Sequence, residues 1–373
     1  MLTNGAALIQ LMERLAPKHY AVENDKIGLQ LGTLNKPISK ALVALDVTDE
    51  VVDEAIEAGA NLIIAHHAII FRPIAKLDTS TPAGKLYEKL IKNDIAVYIS
   101  HTNLDVTDGG INDWLADQIG IEEEGRQSLE EVHTDKLYKL VVFVPESHHK
   151  SVLEAIWRTG AGEIGDYSCC SFNIRGQGTF RPGEGTNPFI GKQGELEYAD
   201  EVRIETIVPY SIHRKTVSAM LKAHPYEEVA YDLYPVDLTG RSYGLGRAGK
   251  LKAPFTLGEL AHRLKGAFDV PMLRVVGPLD KPIRKAAVLG GAGAKYVRHA
   301  MFAGADVLVT GDIDYHTAHD ALAAGMTIID AGHNIEKVMK TKVAEWLNDR
   351  LAESKSETIA VPSKLNTEPF VFV

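Results

Sequence analysis

Short, nearly continuous apolar runs alternate along the first third of this chain with stretches in which apolar positions recur every three or four residues. Ala41 to Leu45, Asn61 to Ala65 and Ile95 to Ser100 are the continuous runs, and their length predicts strands buried on both faces. Between them, Glu50 to Ala58 and Gly84 to Asn93 carry helical spacing. Ahead of them, Asn4 is placed to cap a helix whose apolar face is Ala7, Leu8, Leu11, Met12 and Leu15, stopped by Pro17; behind them a helix is predicted from about Ile111 to Ile119. Strands alternating with helices predict βαβ units in a mostly parallel sheet.

The pattern recurs. Ala58-Gly59-Ala60 and the run after it match Ala303-Gly304-Ala305 and Asp306 to Thr310 at a shift of 245 positions, and Ala41 to Val43 falls on Ala286 to Val288 at the same shift. His66-His67, at the end of the first run, then corresponds to Gly311-Asp312. Downstream the shift becomes 231, because the first copy carries an extra loop around Arg72 to Pro82; Asn103 lies over Asn334 and Asp105 over Glu336. The second copy runs from about Leu257 to Glu336, with a last helix near Val338 to Leu351 and a terminal strand expected at Pro369 to Val373. Open α/β sheets present ligands at the carboxyl ends of their strands, so carboxylates in equivalent places of two repeats can meet at a pseudo-twofold axis.

A different pattern lies between the copies. Leu137 to Pro145 precedes a helix near Ser151 to Arg158, and 64 residues later Val202 to Pro209 precedes a helix near Lys215 to Ala223. Two such copies predict a ferredoxin-like βαββαβ insert ending in the strand Val229 to Tyr234, with Gly176 to Lys192 as a long exposed loop. The acidic stretch Glu122 to Glu131 is expected as a linker and Gly240 to Gly249 as the return. The expected organisation is a discontinuous α/β host domain, residues 1–126 and 250–373, interrupted by an inserted α+β domain at 127–249.

Composition narrows the function. A chain of 373 residues exceeds one ordinary compact domain, and 45% hydrophobic with 24% charged residues is a globular balance. A net charge of −10 argues against a direct grip on nucleic acid, which needs clustered Lys and Arg. No run reaches the eighteen or so apolar residues of a membrane span. The two cysteines, Cys169 and Cys170, are neighbours in a strand-like stretch and cannot staple distant parts of a fold, so a reduced, cytoplasmic setting is expected.

The residues with the strongest chemistry are His66, His67, His101, Asp105, His333 and Glu336, all just beyond strand ends that the repeat places side by side. Imidazole and carboxylate together suit zinc, iron, manganese or nickel, and a mixed shell with a bridging Glu is common in two-metal hydrolytic sites. The plain alternative is that the histidine pair caps a strand while the acids flank helices. Gly290-Gly291-Ala292-Gly293 lacks the Lys and Ser/Thr of a phosphate loop and reads as a tight strand-to-helix turn. Asp312, Asp314, His316 and His319 occupy the counterpart of the paired histidines and either line a pocket or are solvated loop residues. His148-His149 reads as the surface start of a helix.

The motifs Ala65-His66-His67, Ser100 to Asp105 and Gly332-His333-Asn334-Ile335-Glu336 resemble those of the NIF-three-like proteins, a family also named GTP cyclohydrolase type 2 homologues. Asp25 to Leu29 and Asn366 to Val373 are similar to that family's N-terminal and C-terminal motifs, and His224 to Glu228 resembles a signature of the PII/CutA-like insert of its long members. The resemblance implies two divalent metal ions per subunit, zinc first and iron, manganese or nickel as alternatives, with His66, His67, Asp105, His333 and Glu336 as ligands and Glu336 as bridge. It further implies a homohexameric toroid with the sites facing an inner cavity. His101 is then the candidate for acid/base work or for orienting a ligand from behind, with a further metal ligand as the alternative. Ala68 stands where the family more often has Pro, and His333 and Glu336 are three rather than four residues apart. The function expected is a metal-dependent hydrolase of a nucleotide or related small molecule; the alternative is a metal-binding regulatory or scaffold protein whose insert senses a small ligand.

Overall fold

The computed structural model describes residues 1–373, which divide into two compact units: Met1–His133 with Tyr243–Val373, and Thr134–Ser242. The second unit is thus seven residues shorter at each end than the insert expected at 127–249. In chain order the strands are Gly28–Leu31 (β1), Lys40–Ala44 (β2), Leu62–Ala65 (β3) and Ala96–Ile99 (β4). Then come Glu130–Pro145 (β5), Phe172–Phe180 (β6), Glu197–Pro209 (β7) and Tyr231–Leu245 (β8). Arg247–Thr256 (β9), Arg274–Val276 (β10), Pro282–Ala292 (β11), Val307–Gly311 (β12), Thr327–Asp330 (β13) and Ile359–Pro362 (β14) follow, and two further two-residue strands, Thr3–Asn4 and Pro37–Ile38, pair antiparallel with each other.

The first unit holds two five-stranded sheets, ordered β14-β2-β3-β4-β1 and β9-β11-β12-β13-β10. In each, three central strands run parallel and the last neighbour is antiparallel, so the sequence repeat is also a repeat of topology. The opposite edges differ, β14 pairing parallel with β2 and β9 antiparallel with β11. Every residue of β3, β4 and β13 is buried, as parallel strands covered on both faces require. Helix ends follow the local chemistry. Thr48 accepts from the Val51 N–H to start Asp49–Ala58, which Gly59 ends in the left-handed conformation; Thr81 and Pro82 start Pro82–Lys92.

One hydrophobic core joins the two sheets: Leu62, Ile64 and Tyr98 from the first pack in the same cluster as Val307, Val309 and Ile329 from the second. A polar tie reinforces it. The Asn112 side chain donates to the Asp105 carbonyl at 2.9 Å and accepts from the Gly290 N–H at 2.9 Å, linking the end of one sheet to the end of the other. The strand ends carrying the candidate residues are thereby held together.

The second unit is a four-stranded sheet ordered β8-β5-β7-β6, with helices His149–Trp157 and His213–Ala223 packed through Val152, Ile156 and Met220 onto Val142, Val144 and Ile204. No helix of the protein is long and apolar enough to cross a membrane.

Four local expectations need correction. Gly176 to Phe180 is not loop: it is the end of β6, paired to β7 residue by residue down to Phe180↔Glu197. Cys169 sits in a turn at φ 58° instead of a strand. Glu122 to Glu131 is no free linker, because Glu122 and Gln127 donate to the carbonyls of Lys250 and Ala248. Pro369 to Val373 forms no strand. Ile359–Pro362 already fills the edge beside β2, Pro369 has no N–H for a ladder, and the Phe370 N–H turns back to Glu368.

Candidate metal centre

The histidine pair follows β3 directly. The backbone N–H groups of His66 and His67 both bond the Leu45 carbonyl, which pins the strand end before the chain leaves the sheet. His101 follows β4 and stands at the start of the short helix Thr102–Val106, which places Asp105 one turn further on. After β13 the chain bends at Gly332, φ 82°, into a 3₁₀ helix, His333–Lys337. A 3₁₀ helix has three residues per turn, so residues i and i+3 stack on one side. The shortened spacing of His333 and Glu336 therefore suits the local structure, and both side chains reach the same point.

All six predicted residues come together. Glu336 Oε2 lies 3.2 Å from His67 Nε2, 3.3 Å from His333 Nε2 and 3.7 Å from His66 Nε2, and Asp105 Oδ1 lies 3.8 Å from His66 Nε2. Three overlapping triads, His66/Asp105/Glu336, His67/His333/Glu336 and His66/His67/His101, each have one donor atom per residue, all within 4.8 Å of one another. Glu336 belongs to two of them.

Each imidazole is held from behind by its Nδ1: His66 by the Ser100 carbonyl at 2.9 Å, His67 by Asp46 at 2.7 Å, His101 by Asp25 at 2.9 Å and His333 by Asp312 at 2.7 Å. This leaves four Nε2 atoms for the centre, the arrangement by which carboxylates and carbonyls orient imidazole toward a metal. Asp25 also accepts from the Thr102 N–H, so one carboxylate both caps that helix and fixes His101. Asp46 is itself bonded by the Thr367 hydroxyl.

His66 Nε2, Asp105 Oδ1 and Glu336 Oε2 are buried and make no hydrogen bond: the short approaches to Glu336 are close in distance without the alignment of a bond. Buried polar atoms without partners are costly. Donor atoms about 2.0–2.2 Å from a common ion stand roughly 3–3.5 Å apart, close to the separations around Glu336. The donor set fits a divalent cation.

Electrostatics agree. Burial alone would lower the His67 pKa, yet the hydrogen-bonded Asp46 and the close negative charge of Glu336 carry it to about 10; Glu336 and Asp312 raise His333 to about 9 against its burial. Burial, with the charge of Glu336 adding to it, holds Asp105 at about 6 against the pull of His66. The Glu336 carboxyl is held well below its ordinary range, its burial outweighed by the surrounding imidazoles. Without a cation, protons on the imidazoles supply the positive charge that the buried carboxylates demand.

Sequence reasoning missed several parts of this site. Gly291, read as a turn residue, has φ 69°, and a Cβ there would lie 2.5 Å from Glu336 Oε1; only glycine leaves room for the carboxylate. Asp46 went unremarked, although it falls on Gly291 at the 245-residue shift and so occupies the same strand end in the other repeat. Asp312 is part of the site as the His333 anchor. Asp314, His316 and His319 are not brought into it: Asp314 caps the helix Tyr315–Ala323, and His319 packs on Tyr315.

The site is closed on one side and open on the other. His66 is wholly buried, whereas the His333 side chain is 41% exposed and, with His67, borders a cavity of about 980 Å³. Met272, Leu273, Phe370 and Phe372 give that cavity an apolar wall.

The chain matches Duf34/NIF3 (NGG1p interacting factor 3) over residues 3–369. It is 55% identical over 372 residues to a GTP cyclohydrolase 1 type 2 homolog of Halalkalibacterium halodurans, covering 100% of both chains, and 50% identical over 370 residues to the Bacillus subtilis protein of that name, covering 99% of each. The crystal structure of a Bacillus cereus protein related to NIF3 superposes with a TM-score of 0.93 at 51% identity, again over 100% of both chains. This chain is therefore a member of the Duf34/NIF3 family.

Proposed function

We propose that the centre holds two divalent cations and that the protein is a metal-dependent hydrolase of a nucleotide or a related small molecule. His66, Asp105 and Glu336 would hold one ion and His67, His333 and Glu336 the other. The observation that carries this reading is the convergence of three buried atoms without hydrogen-bond partners, from His66, Asp105 and Glu336, on one point ringed by back-anchored imidazoles. Zinc suits the His/carboxylate shell, as do iron and manganese.

When bound, such a pair of cations lowers the pKa of a coordinated water and polarises a phosphoryl or carbonyl oxygen. The protein's own residues do the rest. The open cavity admits substrate past His333, and its apolar wall receives a flat ring while the polar end faces the cluster. His101 shares a triad with His66 and His67 but not with Glu336, and its Asp25 anchor holds Nε2 toward the cluster; we assign it proton transfer to or from the reacting group. The relatives' name, GTP cyclohydrolase 1 type 2 homolog, supports GTP as the first substrate to try.

The reading also extends to the assembly and the insert. The four-stranded sheet with two helices on one face supports a ferredoxin-like domain of PII/CutA type, and we propose a homohexamer as the assembly. The test is metal analysis of the purified protein before and after chelation, with turnover measured on GTP, other nucleotides and simple phosphoesters. Metal uptake with metal-dependent hydrolysis, lost in Glu336→Gln, is the expected result. A folded protein that takes up no divalent metal overturns the proposal, and metal uptake without turnover of any of these leaves a metal-binding regulator or scaffold in its place.

A further inference from the structure

The second unit has a cavity of its own, about 410 Å³, formed where the ends of β6 and β7 meet the loop after β6 and the segment His224 to Ala230. Phe180, Phe189 and Tyr226 form its aromatic wall, with ring centroids of Phe180 and Phe189 5.8 and 6.3 Å from that of Tyr226. Its charged lining is Glu201, Glu227 and Glu228 against the single base Arg181.

Glu201 is built into this cavity. It is only 8% exposed, and its Oε1 accepts from the Tyr226 hydroxyl at 2.9 Å. Gly178, also on the cavity wall, makes room for it: a Cβ there would lie 2.2 Å from Oε2. The Tyr226 backbone N–H donates to His224 Nδ1, whose Nε2 in turn donates to the Phe143 carbonyl, so the tyrosine that positions Glu201 is itself locked to the sheet. Glu227 is tied to the loop through the Asn187 N–H. The arrangement exists before any ligand arrives.

We propose that this cavity binds a small organic cation of the alkylated-ammonium class, with its charge facing Glu201 and its alkyl surface enclosed by Phe180, Phe189 and Tyr226. An anion meets an excess of carboxylates. A neutral apolar guest would leave the charge of the largely buried Glu201 carboxylate uncompensated, which is costly. A bare metal ion finds mainly aromatic carbon where it needs several oxygen or nitrogen donors. An alkylated ammonium satisfies both features, because aromatic faces attract a weakly hydrated cation and the carboxylates neutralise it. The site lies wholly within the second unit and stands independently of the metal centre.

Calorimetric titration of the full chain with choline, and with 3,3-dimethyl-1-butanol as the uncharged compound of the same shape, tests this. Choline is expected to bind, the alcohol at least about tenfold more weakly, and Glu201→Gln and Phe189→Ala each to weaken choline roughly tenfold. Should Glu201→Gln fail to fold by circular dichroism, the exposed-loop partner Glu227→Gln is expected to weaken choline by a few-fold. Equal affinity for the alcohol overturns the proposal, as does choline that does not bind at millimolar concentration or binds the folded variants like the parent.

Discussion

The two halves of the first unit share a topology and divide the work unequally. At the end of β3 the first half places His66-His67; at the matching end of β12 the second half places Gly311-Asp312, and Asp312, at φ 56°, turns its carboxylate to the back of His333. Where the first half has Asp46 behind His67, the second has Gly291 in front of Glu336. Of the groups that face the centre, the acids Asp105 and Glu336 are the counterparts, and they differ by one methylene. Asp105 approaches one imidazole, whereas the longer Glu336 stands before three. A duplicated scaffold thus fixes positions, and the side chain at each position decides whether it faces the centre, anchors a neighbour or yields space.

The sharpest way to break this comparison is at Glu336. Replacement by Gln keeps the shape and removes the charge that both triads share, so bound metal should fall below half of the parent's content and any metal-dependent turnover by more than about a hundredfold, beyond the 10–100-fold typical of residues behind a ligand. Asp105→Asn should empty only the position it shares with His66. Metal content by atomic emission on folded protein decides between them, and equal losses in the two variants would refute the idea that the halves contribute differently. Next in size are the paired positions behind these groups. Asp46→Ala frees His67 and should cost 10–100-fold in metal affinity. Gly291→Ala should act at Glu336 instead, displacing its carboxylate and straining a left-handed backbone by about 1 kcal/mol, seen as a lowered Tm even in chelator. If Gly291→Ala leaves both Tm and metal affinity unchanged, the glycine is only a turn.

Much of this was legible in the sequence because burial writes itself into composition. The runs Leu62–Ala65 and Thr327–Asp330 are apolar through their centres because parallel strands are covered on both faces, and their recurrence at fixed shifts announced the duplication. The six polar residues beyond those strands followed from that frame. What stayed hidden depends on close approach in space. Nothing in the order of residues says that Asp25, far from His101 along the chain, bonds its ring, or that Asn112 ties Asp105 to Gly290. Gly291 looked like punctuation because a glycine needed for a turn and one needed for a neighbour's carboxylate read alike. The Pro369 to Val373 strand failed for a related reason: its residues have strand propensity, and the edge was already occupied by Ile359–Pro362.

A smaller effect separates the metal-free and metal-loaded proteins by pH. His67 at about 10 and His333 at about 9 lie above the ordinary 6.5 of histidine in the metal-free protein. A raised folded-state pKa contributes stability that is complete below 6.5 and disappears as pH climbs through the folded values. The chelated protein should therefore lose Tm between about pH 7 and pH 10, mostly through His67, because the more exposed His333 is better screened by solvent. Metal replaces those protons, so the loaded protein should not show this loss, and uptake at pH 7 should release protons into a weakly buffered solution. Parallel Tm curves for the two forms, or uptake without proton release, would show that the imidazoles are not the groups a cation displaces.

The finest distinction lies between the two anchors. Asp46 holds the His67 ring in a half-buried setting and is itself gripped by Thr367, while Asp312 holds His333 at the mouth, where both side chains are more than 40% exposed. Asn at either position keeps a hydrogen-bond acceptor and removes the charge. Water can substitute at the mouth but not behind His67, so Asp312→Asn should weaken metal binding only a few-fold where Asp46→Asn weakens it tenfold or more. Titration of each chelated variant with zinc measures the difference. Equal losses would mean that the charge behind each ring matters more than its burial, and the contrast between a deep half and an open half would then rest on Glu336 and Asp105 alone.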